Sequence, residues 1–369
     1  MEIFNLSGSN KIFVVTIFLC ALLCDNASAK NPHHSESSPS GNSSKEEGGM
    51  TPQKCIAELN GNNPKVRIDL SRVMPPLNDQ GNNGTCYAQG AGMLLSNFMF
   101  SKTSGPQNLK NFDYSPEMIL MMLALKNPSF LQSRINHLKT DKNREIFGGG
   151  FTDDVLDAVK NNPEVLVPIP FDLLIKKGIF KEPLRSLISS VMFDVNHASN
   201  KITLDKAQKR IREGMAKILS KLDSTNVDHK KVLDQFALAG FKIHNGALSV
   251  QSTPKKTLGM KIQKVGNRNG YNTNYGSCQQ TLDAIFENLC HLRPVEISFV
   301  PPSNPFGFHS AVVDGIENVG GVPHVFIRDS AGAGSGAEVL KLPVSKLCGP
   351  SGNPKVATML YRATAIRPE

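Results

Sequence analysis

The chain has 369 residues, of which 40% are apolar and 20% charged, with a formal net charge of +9 and no tryptophan. This length allows one large domain or two small ones, and the composition excludes fibrous and wholly disordered proteins.

Residues 1–29 have the pattern of a secretory signal peptide. Lys11 precedes an apolar run of thirteen residues, Ile12–Cys24, and the small-x-small site Ala27-Ser28-Ala29 follows. The run is too short to span a bilayer, and no later segment is long and apolar enough to do so. We therefore expect Sec-type export, cleavage after Ala29 and a soluble secreted or periplasmic protein.

The cysteine count predicts a free thiol. Removal of residues 1–29 leaves five cysteines: Cys55, Cys86, Cys278, Cys290 and Cys348. An odd number in an exported protein leaves at least one unpaired, while four can pair in three ways. Cys86 is our candidate for the free one; alternatively, all five are buried, unpaired apolar residues.

Residues 30–65 are rich in Ser, Gly, Asn and Pro, which predicts a flexible polar tether.

A globular domain is expected over residues 66–369. Its first helix follows Cys86, because apolar residues then recur at helical spacing. Ser115-Pro116 is a cap and first-turn pair that predicts a second helix. A third helix, TDDVLDAVKNN, follows the glycines at 148–150, and CQQTLDAIFENLCHL predicts another.

Strands are predicted near the C-terminus. PVEISFV, HSAVVDGIENV and VPHVFIRDS follow one another, and a Gly-containing turn joins the last two. Helices in the first half and strands near the end predict an α+β fold.

Residues 170–265 form a basic, largely helical insertion. They contain 18 Lys and Arg against 8 Asp and Glu. Apolar residues recur there every three or four positions, which predicts an amphipathic helix with a basic outer face: Leu204, Ala207, Ile211, Met215, Ile218 and Leu222. The helix is either a solvated surface element or a docking surface for an anionic partner, substrate or membrane. No aromatic residues interleave with these charges, which argues against nucleic acid.

The stretch NDQGNNGTCYA carries two parts of an acyl-transfer site. A thiol at the first turn of a helix feels the positive end of the helix dipole, which favours the thiolate of Cys86. The Gln80 side chain and the Cys86 N–H can both donate to a developing oxyanion. Gly81 and Gly84 allow the loop to bring these donors together.

The third part is a histidine with an orienting group. His309 begins a predicted strand after the loop PPSNPFGF, and Asp329 ends the next strand. We expect the Asp329 carboxylate to reach Nδ1 of His309. Asp314 or Asn304 could replace Asp329, whereas His324 is better suited to a packing or surface position.

These segments resemble papain-like cysteine peptidases. NDQGNNGTCYA resembles the family motif Q-G-x-C-G-S-C-W-A with the same Gln-to-Cys spacing, FHSAVVDGIEN resembles the histidine strand, and FIRDSAG resembles I-K-N-S-W-G. YSPEMIL, GGGF and PVEISF are weaker matches in the family order. The resemblance covers roughly residues 66–170 and 276–345.

The resemblance implies a two-lobe fold with a helical left lobe and an antiparallel, β-barrel-like right lobe. It makes Cys86 the nucleophile and His309 the general base and then acid. Gln80 would build the oxyanion hole, and Asp329 would orient His309. The pair Gly149-Gly150 would hold an extended substrate by strand-like pairing, although glycines also simply make turns.

Four positions depart from the family pattern. Asn83 stands where a disulfide cysteine is common, and Tyr87 replaces a tryptophan. Asp329 replaces an asparagine and adds a charge. Ala331 replaces the tryptophan that shields the histidine, which predicts a wetter His–Asp contact. No long helical inhibitory segment precedes the domain.

The expected function is an exported thiol peptidase that hydrolyses the peptide bonds of a peptide or protein through a thioester at Cys86. We expect a monomer with no cofactor and no metal: H-E-x-x-H is absent, and Cys278 and Cys290 are too far apart for a C-x-x-C half-site. The alternatives are a pseudoenzyme that binds peptide without turnover and an acyltransferase that uses an amine instead of water.

Overall fold

Helices form most of the described chain before residue 240 and strands form most of it afterwards, which confirms the α+β class. The helices are α1 (Pro52–Asn60), α2 (Cys86–Thr103), α3 (Pro116–Lys126), α4 (Pro128–Thr140), α5 (Thr152–Asn161), α6 (Lys181–His197), α7 (Leu204–Leu219), α8 (Val227–Leu238) and α9 (Gly276–Cys290). The predicted helices after Cys86, Ser115 and the glycine run are therefore all present.

This computed structural model describes residues 51–60, 66–77, 80, 84–103, 112–140, 147, 149–170, 173, 178–197, 203–254, 256–266, 276–300, 309–331, 338–347 and 359–369. The predicted signal peptide at 1–29 and the first part of the predicted tether lie outside these residues. Asn83 and Asn304 do so as well.

Most of the described strands belong to one antiparallel sheet. The strands are β1 (Arg67–Asp69), β2 (Phe112–Asp113), β3 (Ile169–Pro170), β4 (Phe241–His244), β5 (Ala247–Val250), β6 (Met260–Gly266), β7 (Val295–Val300), β8 (His309–Val319), β9 (Val322–Asp329), β10 (Glu338–Pro343) and β11 (Met359–Pro368). Seven of them pair in the order β10-β9-β8-β7-β11-β6, with β1 on β8. Strands β10 and β6 lie at the two ends of this order and do not pair with each other. The described strands therefore form an open sheet, and the predicted barrel-like closure is corrected.

Helix α2 lies in the centre of the core. Every residue from Tyr87 to Phe98 is buried, because α2 packs against β8 on one side and against α3 and α5 on others. Helix α3 begins as predicted: the Ser115 hydroxyl accepts from the Met118 N–H, and Pro116 is the first helical residue. Burial on all sides fixes the direction of α2 and therefore the position of its first residue, Cys86.

Helix α1 occupies the C-terminal part of the predicted tether. Pro52–Asn60 is instead a packed helix, with Cys55 and Leu59 buried and a disulfide from Cys55 to Cys290 at the end of α9. The tether was predicted from a composition that is polar overall, and composition does not show that two residues of this segment are buried. Cys278 is also disulfide-bonded. Among the described cysteines Cys86 alone is free, as predicted.

Residues 170–265 contain helices, a β4–β5 hairpin and strand β6, which pairs with β11 in the main sheet. Helix α7 packs against α3 and α6. Its predicted apolar stripe is buried, except that Leu204 is half-buried. Within the described part of the chain, no helix combines the length and apolarity that a membrane crossing requires.

Candidate active site

Cys86 is the first residue of α2, as its sequence context predicted. The Thr85 carbonyl accepts from the N–H groups of Ala88 and Gln89 and starts the helical ladder. The N–H of Cys86 precedes that ladder and has no acceptor within the helix. The thiol is half-buried. A nucleophile, a helix N-terminus and an available backbone donor therefore coincide at this residue.

His309 lies at the start of β8 and faces Cys86. Its Nε2 is 2.8 Å from Oδ1 of Asp329, and its ring also forms a hydrogen bond with the Cys86 side chain. The expectation that Asp329 would meet Nδ1 is wrong: the ring is turned so that Nε2 meets the carboxylate. Nδ1 is then the ring nitrogen left for Cys86.

The surroundings of His309 favour its charged form. Burial opposes the charge, but the hydrogen bonds and negative charges of Asp329 and Cys86 outweigh it and raise the pKa of His309 from 6.5 to about 10. An imidazolium at neutral pH faces the Cys86 sulfur and can donate a proton during the reaction. The charge state therefore suits an acyl-transfer reaction.

The Asp329 carboxylate is held in place by a backbone N–H two residues later in the chain. Its Oδ1 accepts the Ala331 N–H at 2.8 Å as well as the His309 ring. The His309 and Asp329 side chains are only 15% and 13% exposed. The Phe299 ring stands edge-on to His309, with centroids 5.3 Å apart. Phe299 from β7 therefore packs against the imidazole on one side.

Gln80 is tied to the residue after Asp329. Its N–H donates to the Ser330 carbonyl at 2.9 Å, and the Ser330 hydroxyl donates to Gln80 Oε1 at 2.8 Å. Engaging the amide oxygen fixes which way the side-chain NH₂ points, and Gln80 is 6% exposed. Sequence reasoning missed Ser330, although it directly follows Asp329 in the quoted segment FIRDSAG.

The glycine pair lies beside Arg134. The Gly149 N–H donates to the Gly84 carbonyl at 2.8 Å, and the Gly149 carbonyl accepts from Arg134 Nη1 at 2.8 Å. Gly150 is exposed, and a Cβ added there would lie 2.5 Å from Arg134 Nη1. A side chain at 150 would therefore displace the Arg134 guanidinium. Gly149 already uses both backbone groups within the protein, so strand-like pairing with a substrate would fall to Gly150.

Tyr87 replaces the expected tryptophan as a core residue. It is fully buried, its hydroxyl donates to the Phe147 carbonyl at 3.0 Å, and the Arg134 guanidinium lies 4.8 Å from its ring centroid. Arg134 thus joins the residue after Cys86 to the glycine pair, a role that no sequence motif indicated.

The alternatives to Asp329 and His309 lie elsewhere. Asp314 is paired with Arg328, whose Nη1 is 3.1 Å from Oδ2, and Arg328 also donates to the Pro75 carbonyl. His324 contacts the Val322 carbonyl through Nδ1. The described residues include no group of three or more His, Cys, Asp or Glu arranged to hold a metal ion.

Comparisons with known proteins add little. No protein-family model matches the chain, and no curated protein matches it. Among solved structures, the crystal structure of PepW from Lactobacillus rhamnosis HN001 aligns over 85% of this chain and 87% of its own, with 12% sequence identity and a TM-score of 0.36. So loose a superposition carries no argument, and any function must be argued from the site itself.

Proposed function

We propose that the protein is a cysteine peptidase that hydrolyses peptide bonds through a thioester at Cys86. The observation that carries the proposal is the linked series Cys86, His309 and Asp329, in which a helix-terminal thiol contacts a histidine held by a carboxylate at 2.8 Å. The proposal includes a papain-like two-lobe arrangement, supported by the order of the sequence motifs.

In the first half-reaction, the Cys86 thiolate attacks the carbonyl carbon of the scissile bond. A C–S bond forms and the carbonyl π electrons move to oxygen. The amide of Gln80 and the N–H of Cys86 donate to that oxyanion. When the tetrahedral species collapses, the C–N bond breaks and His309 gives its proton to the leaving amine. The product is a thioester at Cys86 and a free amine.

In the second half-reaction, neutral His309 takes a proton from water. The resulting hydroxide equivalent attacks the thioester carbonyl, and collapse breaks the C–S bond. Cys86 leaves as thiolate and the peptide leaves as a carboxylic acid, so His309 is again an imidazolium. The Asp329 carboxylate holds the ring in one orientation through both steps. No cofactor enters this sequence.

The substrate is expected to be an extended peptide or a protein segment that pairs with Gly150. Exposure of Gly150 supports this, because its backbone is accessible where the Gly149 backbone is already bonded. Action outside the cytosol is consistent with the Cys55–Cys290 disulfide.

The test is cleavage of a mixed peptide library under mild reducing conditions, read by mass spectrometry. The protein should cleave peptides, and Cys86→Ala should lose cleavage by about 10³-fold or more. Cys278 is a poor control because it is disulfide-bonded, so Ser115→Ala, a buried hydroxyl on α3, serves as the folded comparison. Equal cleavage by parent and Cys86→Ala would refute the proposal.

The same assay separates the rival functions. If the protein binds peptides but the parent releases no products, the cleft belongs to a pseudoenzyme. If an added amine diverts most product from free acid to amide, the thioester goes to acyl transfer instead of hydrolysis. Hydrolysis that is indifferent to added amine supports the peptidase.

A further inference from the structure

Thr152 contacts the chain neighbours of both proposed catalytic residues, Cys86 and His309. It is the first residue of α5 and is buried, although it is absent from every motif of the site. Its Oγ1 donates to the carbonyl of Tyr87, the residue after Cys86, at 3.0 Å. The same oxygen lies 3.3 Å from Oγ of Ser310, the residue after His309. One hydroxyl therefore touches both the nucleophile helix and the histidine strand.

Ser310 is anchored in turn by a buried carboxyl. Its Oγ donates to Oε1 of Glu296 at 2.8 Å, and Ser298 Oγ donates to the same oxygen at 2.8 Å. Glu296 is 0% exposed, and burial raises the pKa of its carboxyl. An acidic residue is costly to bury, so its retention under the site calls for a specific role.

The register of β7 and β8 explains how one strand serves both purposes. Ser298 lies opposite Ser310, and Phe299 lies opposite His309. Strand β7 therefore supplies the ring that covers His309 and, through Glu296, the acceptor that holds the next residue of β8.

Gly90 shows that the network and helix α2 fit closely. A Cβ at Gly90 would lie 2.9 Å from Glu296 Cγ, 3.0 Å from Ser310 Oγ and 3.2 Å from Thr152 Oγ1. Position 90 is one helical turn after Cys86. The absence of a side chain there lets the polar groups of α5, β7 and β8 converge against the nucleophile helix.

We propose that Thr152, Ser310 and Glu296 form a brace that sets the separation of Cys86 and His309, and that they are positioning residues for the thiolate–imidazolium pair. Cys86 and His309 come from a helix and a strand, so their relative placement depends on contacts between those elements. The brace consists of a hydrogen bond from Thr152 to the Tyr87 carbonyl of α2, a hydrogen bond from Ser310 to Glu296 of β7, and the 3.3 Å contact between the two hydroxyl oxygens. Its role in peptide hydrolysis rests on the proposed function.

The test measures the pair directly, without a peptide substrate. Iodoacetamide alkylation of Cys86 is followed against pH by peptide mass, because a paired thiolate reacts well below about pH 8.5, the ordinary pKa of a thiol. In the full-length mature protein, Thr152→Val keeps the shape of the side chain and removes the hydroxyl. We expect it to slow alkylation at low pH by about tenfold, the effect of losing about one buried hydrogen bond. Ser310→Ala should act alike, and Thr152→Ser should restore the profile.

Asn288→Ala is the matched control. Asn288 also donates from a buried polar side chain, through Nδ2 to Oε1 of Gln263 at 2.8 Å, but on α9. It should lower the melting temperature and leave the alkylation profile unchanged. The brace is refuted if Thr152→Val and Ser310→Ala lower the melting temperature as Asn288→Ala does and keep the parental profile. Should Thr152→Val not fold, Ser310→Ala and Thr152→Ser decide the question by the same readout.

The outcome is separable from that of the proposed function. A parent protein that alkylates at low pH but cleaves no peptide refutes the peptidase and leaves the brace testable by the same variants. A parent whose Cys86 reacts only as an ordinary thiol refutes the brace, whatever peptides it cleaves.

Discussion

Helices α2 and α7 are similar in length, 18 and 16 residues, but their surroundings differ. Residues 87–98 of α2 are buried on all sides, whereas α7 buries one apolar stripe and exposes its basic residues to solvent. Packing on every side leaves α2 little freedom to shift, so the residue at its N-terminus is held firmly. A surface helix such as α7 has a free face and can accept changes there. A reactive group that must meet a partner residue on another element belongs on the first kind of helix.

The largest contrast is expected between two acidic residues. Asp329→Ala removes a charge-assisted hydrogen bond from the ring that faces the end of α2, which is worth about 1.5–3 kcal/mol, so kcat/KM should fall by about ten- to a hundredfold. Asp205→Ala, on the exposed first turn of α7, should change kcat/KM by less than about twofold. Steady-state kinetics on the best library peptide compare them. Equal losses in both variants would contradict the roles assigned to the two regions.

Glycine-to-alanine changes test the packing itself. At Gly90 on α2 the new methyl group meets Glu296, Ser310 and Thr152, so we expect a loss of about 1–3 kcal/mol in the free energy of unfolding and slower alkylation of Cys86. At Gly214 on α7 it would lie 2.3 Å from Cδ1 and 3.1 Å from Cγ of the buried Leu187, so stability should fall there too, but the alkylation of Cys86 should not change. Urea unfolding and iodoacetamide alkylation measure both variants. Slower alkylation of Cys86 in Gly214→Ala than in Gly90→Ala would contradict the comparison.

The pH dependence follows from the raised pKa of His309, about 10 against an ordinary 6.5. A histidine whose pKa is raised by folding stabilises the native state fully below about pH 6.5, and that stabilisation is lost as pH rises towards about 10. NMR titration of the His309 ring should therefore show its midpoint far above neutral, with a lower midpoint in Asp329→Asn, which lacks the negative charge. A midpoint of about 6.5 in the parent would show that the ion pair does not form.

The smallest effect on catalysis is expected from the basic face of α7. Lys206, Lys209 and Lys217 are exposed there. If this face docks an anionic partner, changing all three to glutamine should make the protein elute from heparin at lower salt, while peptide cleavage stays unchanged. Unchanged heparin retention would leave α7 as a solvated helix packed on the domain.

The sequence was informative where a signal is local. Cys86 follows a glycine-rich loop and starts an apolar helix, and His309 and Asp329 bound neighbouring strands, so their chain positions predicted the pair. The orientation of the His309 ring was not predictable, because it depends on which nitrogen meets the carboxylate across two strands. Ser330 directly follows Asp329, so it could have been named as a candidate. Its hydrogen bond to Gln80 could not be predicted, because the two residues lie far apart in the chain.

The contacts of the brace and the open sheet could not be predicted from local sequence patterns, because they depend on how distant segments pair and pack. Strand alternation in PVEISFV would assign Glu296 to the solvent side. Strand β7 is instead buried on both faces and contacts helices α2 and α9. The contact of Glu296 with Ser310 depends on the β7–β8 register and on the placement of α5. Helix α1 was missed because its disulfide to Cys290 compensates for a short, polar sequence.

The most direct test of the central claim is to trap the thioester. The protein is mixed with an activated peptide ester, quenched in acid within milliseconds to seconds, and digested for peptide mass analysis. The account predicts a transient acyl group on Cys86, which appears before free acid accumulates and is absent in Cys86→Ala. Release of free acid by the parent with no acyl group on Cys86, or with the acyl group on another residue, would contradict it.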